Sequence, residues 1–270
     1  MSAIDSLFLS IVIPVYKESG KIERDIREAS KFLADGRVSG EIIVVDDGSP
    51  DDTAEKAAAF QEEIPNLRVL RYERNRGKGH ALRVGISHAR GRYVLFADSG
   101  MCVPYEVARV GLTMLDLDMC DVAHGSRRMR GSVVKEQPLF RRLGSRVFAV
   151  VIHTAMGVPS YISDTQCGFK LYRREVAQAL YAATVTDGFM FDIEVILRAL
   201  KSKYRILEFP VLWSNDADSR MSPRRDTLRF VLDLAHIRLV LAGRRDADPA
   251  VESAAEFEGA ARAGAQLTTN

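Results

Sequence analysis

Short apolar runs alternate with segments of helical periodicity along the first half of the chain. Nearly continuous apolar runs occupy residues 7–14, 42–45 and 93–97, as in strands that are covered on both faces. A further strand is predicted at 67–72, and the apolar spacing predicts helices at 21–33, 52–61 and 79–89. This alternation predicts a parallel sheet whose strands are joined by right-handed helical crossovers.

The alternation continues less regularly up to residue 241. It predicts helices at 103–117, 147–158, 174–182, 192–200 and 228–241, and strands at 121–126, 167–172 and 205–212. From Arg244 the sequence is rich in Ala, Glu and Gly, and no aromatic residue follows Phe257. We therefore expect one α/β domain over residues 1–243 with a mostly parallel central sheet, and a disordered tail at 244–270.

Composition narrows the class of protein. A chain of 270 residues with 47% hydrophobic and 27% charged residues can bury the core of one large domain. Its net charge of +2 gives no reason to expect a nucleic-acid partner. Cys102, Cys120 and Cys167 are widely spaced and are expected to be reduced thiols. Because no apolar run reaches the roughly 18–20 residues that cross a bilayer, and the start lacks the basic residues of a signal peptide, we expect a cytoplasmic protein.

Charge is unevenly distributed in the second half. Residues 127–146 contain seven basic side chains and one acid, Glu136, and the predicted apolar helix at 147–158 follows directly. A basic segment before an apolar helix suits the surface of a membrane, here its cytoplasmic face. The same pattern also fits a core helix preceded by a solvated basic loop, and the sequence leaves both interpretations open.

Four polar motifs follow predicted strands. They are Pro14-Val15-Tyr16-Lys17-Glu18, Asp46-Asp47-Gly48-Ser49, Asn75-Arg76-Gly77-Lys78-Gly79 and Ala97-Asp98-Ser99-Gly100. The carboxyl ends of parallel strands meet at one edge of a sheet, where ligands bind. Carboxylates there can accept hydrogen bonds from a base or a ribose, and a Gly-Lys-Gly turn at a helix start can approach an anion. Taken alone, the acids also suit helix capping and the glycine turn also suits a structural role.

Together these motifs resemble the inverting nucleotide-sugar glycosyltransferases of the family-two type, and among them the polyprenyl (dolichyl) phosphate sugar synthases. The resemblance extends from about Ser10 to Leu239, and later motifs add to it: Asp164-Thr165-Gln166-Cys167-Gly168-Phe169-Lys170-Leu171-Tyr172, Gly188-Phe189-Met190-Phe191-Asp192-Ile193-Glu194 and Glu208-Phe209-Pro210-Val211-Leu212-Trp213. The run that begins at Asp164 is the most specific and looks like the dolichyl-phosphate β-glucosyltransferases. The resemblance implies a Rossmann-like GT-A fold, with a nucleotide-sugar half at 7–126 and an acceptor half with membrane-facing helices at 127–243.

The resemblance also implies roles for individual residues. Donor-binding residues would be Pro14, Val15, Tyr16, Glu18, Asp46, Asp47, Gly48, Lys78, Ala97, Asp98 and Ser99. Acceptor-binding residues would be Arg127, Arg128, Asp164, Gln166, Glu194, Ser219 and Arg220. Asp98, Asp192 and Arg127 would carry the chemistry, and Trp213 is expected to pack at the end of its strand.

One position departs from the family pattern. The resemblance implies Mg²⁺ or Mn²⁺ on an Asp-X-Asp motif, but Gly100 stands where the second acid belongs, so we expect a weakened or atypical metal site on Asp98. Asp98 with water could suffice, Asp164 or Asp192 could substitute, or transfer activity could be lost.

The resemblance therefore predicts transfer of a hexose, glucose from UDP-glucose, to a polyprenyl phosphate at a membrane surface. Alternatives are a GDP-mannose donor, a glycan or small hydroxylated acceptor, and a nucleotide-sugar-binding protein with impaired catalysis. The sequence leaves the oligomeric state open.

Overall fold

The computed structural model describes residues 7–135, 148–214 and 223–243. Within these ranges the strands are β1 (Leu9–Val15), β2 (Gly40–Asp46), β3 (Leu67–Arg71), β4 (Tyr93–Ala97), β5 (Val122–Ser126), β6 (Val133–Lys135), β7 (Phe169–Arg173), β8 (Ile206–Pro210) and β9 (Leu212–Ser214). The helices are α1 (Ile22–Asp35), α2 (Thr53–Ala59), α3 (Lys78–Ser87), α4 (Ala108–Asp116), α5 (148–155), α6 (Arg174–Ala182), α7 (Phe191–Lys201) and α8 (Pro223–Leu241).

Seven strands form one mixed, mostly parallel sheet in the order β3-β2-β1-β4-β7-β5-β8. Strands β1 to β4 pair in parallel, as the alternation of strands and helices predicts. Strand β7 enters between β4 and β5 and is antiparallel to both, while β8 is parallel to β5. The mostly parallel α/β architecture is therefore confirmed, and the reversal lies in the second half of the chain.

Helices cover both faces of this sheet, so the central strands have no solvated face. All residues of β1, β2 and β4 are buried. Alternate side chains enter two separate cores: Ile11 and Ile13 pack on the face covered by α1, α2 and α4. Val12 and Val45 pack on the face covered by α3, α6 and α7. Side chains of β4 point to the two faces in turn, and this alternation also sets the direction of Asp98, which follows the strand.

Most predicted elements agree with the structure to within a few residues. The helix predicted at 103–117 begins with a 3₁₀ turn at Tyr105–Val107 before α4. The strand predicted at 205–212 ends earlier, at Pro210, and Leu212 begins a separate strand, β9, which pairs with β6 in a small parallel sheet. The predicted tail at 244–270 and residues 136–146 of the basic segment lie outside the described residues.

Helix α3 approaches the sheet closely because it presents a glycine to it. A Cβ atom on Gly85 would lie 2.5 Å from Cγ1 of Val12 and 2.8 Å from Cγ2 of Val45. Both neighbours are β-branched and fully buried, so neither can move aside without disturbing the core. This contact fixes the distance between α3 and the strands that carry the polar motifs.

We expect Gly85→Ala to lower the free energy of unfolding by about 1–3 kcal/mol, because the added methyl group overpacks this contact. Urea denaturation followed by circular dichroism measures the change. Gly20→Ala is the matched control, since no atom lies within 4 Å of the Cβ that it would add. Equal stability of the two variants would contradict this packing.

Candidate active site

Asp47 connects the end of β2 to the start of α3. Its carboxylate is 4% exposed and accepts hydrogen bonds from the Tyr72 hydroxyl at 2.7 Å and Asn75 Nδ2 at 2.8 Å. It also accepts the backbone N–H groups of Arg76 at 2.7 Å and Gly77 at 2.9 Å. Burial raises the pKa of Asp47, and these hydrogen bonds oppose the rise. Asp47 therefore shapes residues 72–77, the segment that leads into α3.

Two glycines allow this segment to lie so close to its neighbours. Gly48 has φ +65° and its Cβ would lie 2.6 Å from the carbonyl carbon of Arg74. Gly77 has φ +106° and its Cβ would lie 2.5 Å from the carbonyl oxygen of Asp187. Both positions combine a left-handed backbone with a space that has no room for a side chain, so glycine is required at each.

Asp46, the other acid of this pair, organises the loop after β1. It is fully buried, and it accepts the Ser49 hydroxyl and the Ser49 N–H, the latter at 3.2 Å. Ser49 Oγ in turn accepts the backbone N–H of Lys17 at 2.9 Å. Asp46 also forms an ion pair with Arg71 Nε at 3.4 Å. The alternative of simple helix capping is not what is seen, since α2 begins at Thr53 without a side-chain cap.

Asp98 follows β4 and lies on the same side of the sheet as Asp47. Its Oδ1 is 2.6 Å from Lys78 Nζ, and Lys78 directly follows the segment that Asp47 holds. The ammonium group lies over the rings of Phe96 and Phe191, 5.1 and 6.0 Å from their centroids. Burial opposes the charge of Lys78, but the carboxylates of Asp98 and Asp192 outweigh it and raise its pKa. The acids at the ends of β2 and β4 thus meet at one edge.

Gly168, in the motif that begins at Asp164, forms the floor under Asp98. The Asp98 N–H donates to the Gly168 carbonyl at 2.8 Å, and a Cβ on Gly168 would lie 1.9 Å from Asp98 Oδ2. No other residue can occupy this position while the carboxylate stays where it is. The structure therefore places Gly168, just before β7, directly against Asp98.

Lys170 and Asp192 form a buried ion pair beside Lys78. Lys170 Nζ donates to Asp192 Oδ1 and, at 3.0 Å, to the Thr165 carbonyl. Burial raises the pKa of Asp192, and the charges of Lys170 and Lys78 oppose the rise. Lys170 was not among the predicted site residues, although a lysine inside an apolar strand signals a buried partner.

Arg127 and Asp164 form a second buried ion pair at the end of β5. The guanidinium binds the carboxylate through Nε at 2.7 Å and Nη2 at 2.8 Å, and the Arg127 N–H adds a third bond at 2.9 Å. Glu208 accepts the Asp164 N–H at 2.8 Å, and the Arg127 guanidinium lies 5.6 Å from the Trp213 ring centroid. Burial works against the charge of Asp164, but the bonds to Arg127 outweigh it and lower its pKa.

The remaining predicted residues are distributed around these pairs. Pro14, Val15 and Ala97 are buried in the strand ends, Tyr16, Glu18 and Ser99 are partly exposed, and Arg128 has an exposed side chain. Gln166 has a buried Nε2 atom without a hydrogen-bond partner. Ser219 and Arg220 lie outside the described residues, so their predicted roles stay predictions.

Glu194 lies apart from the other predicted acceptor residues. It is fully buried on α7 and accepts the N–H groups of Val185 and Thr186, at 3.1 and 2.9 Å. Arg198 Nε donates to it at 2.8 Å. Glu194 therefore holds residues 185–186 from behind, and its contact with an acceptor stays a prediction.

Asp25 is a site-shaping residue that sequence reasoning missed. It is 1% exposed on α1, and its Oδ2 accepts the Ser99 hydroxyl at 2.6 Å and the Gly100 N–H at 2.8 Å. Arg24 Nη2 donates to the Gly100 carbonyl at 2.9 Å. Burial raises the pKa of Asp25, against these bonds. The available signal was its position, three residues after Ile22 on the apolar face of α1.

A comparison with protein families decides the broad class. The family described as "Glycosyl transferase family 2" matches residues 10–181. The chain belongs to glycosyl transferase family 2. Dolichyl-phosphate beta-glucosyltransferases of Saccharomyces cerevisiae and Homo sapiens are each 32% identical to it, over 87% and 86% of this chain and 75% of each relative.

Solved structures of glycosyltransferases share the GT-A fold of this family member. Glucosyl-3-phosphoglycerate synthase from Mycobacterium tuberculosis, in complex with Mn²⁺, UDP and glucosyl-3-phosphoglycerate, aligns with a TM-score of 0.65 at 21% identity, over 89% of this chain and 82% of that one. A mannosyltransferase from Pyrobaculum calidifontis, in complex with GDP-Man and Mn²⁺, aligns with a TM-score of 0.62 at 19% identity, over 91% and 67%.

The acids at this edge do not fit the divalent cation that these two complexes contain. Gly100 provides no carboxylate, and Asp98 already binds the Lys78 ammonium. The predicted substitutes, Asp164 and Asp192, are bound by Arg127 and Lys170. Among the described residues, no three His, Cys, Asp or Glu side chains are grouped as a metal site requires.

Breaking the Arg127–Asp164 pair is expected to destabilise the protein in a pH-dependent way. Asp164→Asn leaves a largely buried guanidinium unpaired, and we expect a loss of about 3–5 kcal/mol at pH 7. Since the pKa of Asp164 is lower in the folded protein than its ordinary 3.8, the wild type's advantage is complete above that value. It is lost as the pH falls through the folded-state pKa.

Urea titrations of both proteins between pH 7 and pH 3 measure this difference. Asp52→Asn is the control, because its ion pair with Lys56 is exposed and should contribute little. A difference between wild type and Asp164→Asn that does not depend on pH would contradict the assignment.

Proposed function

We propose that this protein transfers glucose from UDP-glucose to a polyprenyl phosphate of the dolichyl type, with inversion at the anomeric carbon. The observation that carries the proposal is the position of residues 164–172, the run that most resembles dolichyl-phosphate β-glucosyltransferases. Gly168 supports Asp98, Lys170 binds Asp192, and Asp164 binds Arg127. The relatives of that name match this chain over most of its length.

The donor's diphosphate would lie at the edge formed by Lys78 and Asp98. Lys78 follows a turn whose backbone is fixed by Asp47, so its ammonium is positioned before the ligand arrives. The bond between the anomeric carbon and the UDP oxygen breaks, and negative charge grows on the departing UDP. A positive group held in place there stabilises that charge without reorganisation. The base and ribose would contact the loop at 14–18, which Ser49 and Thr53 hold through backbone bonds.

The acceptor phosphate needs orientation more than activation. A phosphate monoester is largely ionised near neutral pH, since its second pKa is about 6. One of its oxygens forms the new bond to the anomeric carbon opposite the departing UDP, so no proton has to be removed by a strong base. Arg128, just after the end of β5, suits a phosphate through bidentate hydrogen bonds. Nε and Nη2 of Arg127 already bind Asp164, so Arg127 would contribute its charge and its remaining donors. The bond between Asp192 and Lys170 agrees with a reaction that does not use Asp192 as the base.

The alternatives differ in donor or acceptor. GDP-mannose would leave the same groups in the same roles. A hydroxylated acceptor, such as a glycan, would require Asp192 to accept the acceptor's proton, and Lys170 would then have to share that carboxylate. A protein that binds the donor without transfer is the alternative that the departure at Gly100 suggests.

A membrane-facing surface would bring the lipid to this site. Helices α5 and α8 are joined by a hydrogen bond from Arg238 Nη1 to the Ala155 carbonyl, at 2.7 Å. They carry exposed apolar side chains at Val150, Val231 and Leu232, which are 61%, 57% and 60% exposed. The basic segment predicted to face a membrane precedes α5. Across the described part of the chain, no helix combines the length and apolar content that a bilayer span requires.

Incubation with radiolabelled UDP-glucose and polyprenyl phosphate, with and without Mn²⁺, is expected to yield lipid-linked glucose. Asp192→Asn should retain activity within about tenfold if the acceptor is a phosphate, whereas loss of a required base costs about 10²–10⁴-fold. Because Asp192→Asn leaves Lys170 buried without its partner, Asp192→Asn/Lys170→Met serves as the second variant, and circular dichroism verifies folding. Donor binding without turnover on any acceptor would contradict the proposal, and transfer only from GDP-mannose would replace the donor.

Charged substitutions on α5 and α8 are expected to weaken association with anionic lipid vesicles. In a flotation assay, Val150→Asp/Val231→Asp should lower the bound fraction by about tenfold or more, because apolar contact with the bilayer is lost. Val110→Asp is the control, since this 46% exposed side chain lies on α4, on the opposite face of the sheet. Neutralising Arg141 and Arg142 tests the basic segment separately. Flotation unchanged by the double variant would contradict the membrane-facing surface.

A further inference from the structure

Three acids at and beside the candidate donor site have cationic partners. Asp98 is paired with Lys78, Asp192 with Lys170, and Asp164 with Arg127. The carboxylates of Asp192 and Asp164 are also buried, so water cannot replace the lysine or the arginine as their partner. The carboxylates are thus already neutralised by side chains of the same chain.

A divalent cation would have to compete with these lysine and arginine side chains for the carboxylate oxygens. Mg²⁺ and Mn²⁺ need oxygen ligands that point to a common centre, one or two of them carboxylates when phosphates supply the rest. Here the Lys78 ammonium lies 2.6 Å from Asp98 Oδ1. An incoming cation would have to displace Lys78 before it could reach that oxygen.

The backbone of the loop after β4 also has a conformation that favours Gly100, the residue that departs from the family pattern. Gly100 has φ +95°, a conformation that an aspartate adopts only with strain. Asp25 fixes this conformation through the Ser99 hydroxyl and the Gly100 N–H, and Arg24 binds the Gly100 carbonyl. The hydrogen bonds around position 100 therefore favour a backbone conformation that suits glycine and not aspartate.

Lys78 itself is suited to bind a diphosphate. Its ammonium has three N–H donors, of which Asp98 can use one, and the side chain is 23% exposed. The rings of Phe96 and Phe191 hold it near the end of β4. Since the resemblance assigns the metal to Asp98, Lys78 would occupy the place where positive charge is needed.

We propose that Lys78 supplies the positive charge that Mn²⁺ brings to the two solved complexes, so that this site binds a nucleoside diphosphate without a metal. The inference rests on the proposed function insofar as it takes a nucleotide-sugar donor. Lys78 contacts the diphosphate of the donor, and Asp98 keeps the ammonium in position. The requirement for a second carboxylate is thereby removed.

UDP binding measured by isothermal titration calorimetry tests this role, because it does not depend on turnover. In EDTA and in Mn²⁺ the wild-type dissociation constants should agree within about threefold. Lys78→Met should weaken binding in EDTA by about tenfold or more, since a charge-assisted contact is lost. Mn²⁺ should partly restore binding to this variant, because Asp98 is released to act as a ligand. Lys78→Arg should retain most of the metal-independent affinity.

Lys31→Met is the matched control, since it removes an exposed lysine from α1 and should leave UDP binding unchanged. Thermal melting verifies that the Lys78 variants are folded. Wild-type binding that falls about tenfold in EDTA would overturn the proposal, as would a Lys78→Met variant that binds normally in EDTA or a wild type that does not bind UDP.

The two proposals fail in different ways. Metal-independent UDP binding without formation of lipid-linked glucose would contradict the proposed function and leave the role of Lys78 standing. Lipid-linked glucose that forms only with Mn²⁺, together with Mn²⁺-dependent UDP binding, would contradict the role of Lys78 and leave the proposed function standing.

Discussion

The candidate site depends on one buried carboxylate. Asp47 binds two backbone N–H groups, an amide and a phenol, all from residues 72–77. A buried carboxylate needs hydrogen-bond donors in place of the water that it loses, and here those donors come from a segment about 25–30 residues further along the chain. The start of α3 is thereby joined to the end of β2. Gly85 completes the constraint by fixing the depth at which α3 lies on the sheet.

This constraint explains how the charged groups reach one another. Once the turn before α3 is fixed, Lys78 meets Asp98, and the start of β7 brings Lys170 to Asp192. Arg127 and Asp164 close the row at the end of β5. Buried ion pairs of this kind contribute little net stability but are costly to break. Their effect is to fix which oxygen and nitrogen atoms face a ligand.

The sequence predicted the strands and helices well where the apolar pattern is simple. Strands such as β4 are continuous apolar runs, and the motifs that follow them indicated the site. The antiparallel direction of β7 could not be predicted, because the apolar pattern of a strand does not show whether it runs parallel or antiparallel to its neighbours. Pairings were also hidden: Lys170 to Asp192 and Asp25 to Gly100 join residues far apart in sequence. Glu194 shared a motif with Asp192, but its place on α7 turns it toward residues 185–186.

The position of β7 affects the order in which the molecule can form. Strand β4 pairs with β1 on one side but must wait for residues 169–173 on the other. Until then, the emerging chain has an apolar strand with an open edge, the situation that invites pairing with other chains. Such distant contacts also slow folding. During synthesis the first four strands therefore leave one edge of β4 unpaired, and the sheet is completed only when the later part of the chain supplies β7.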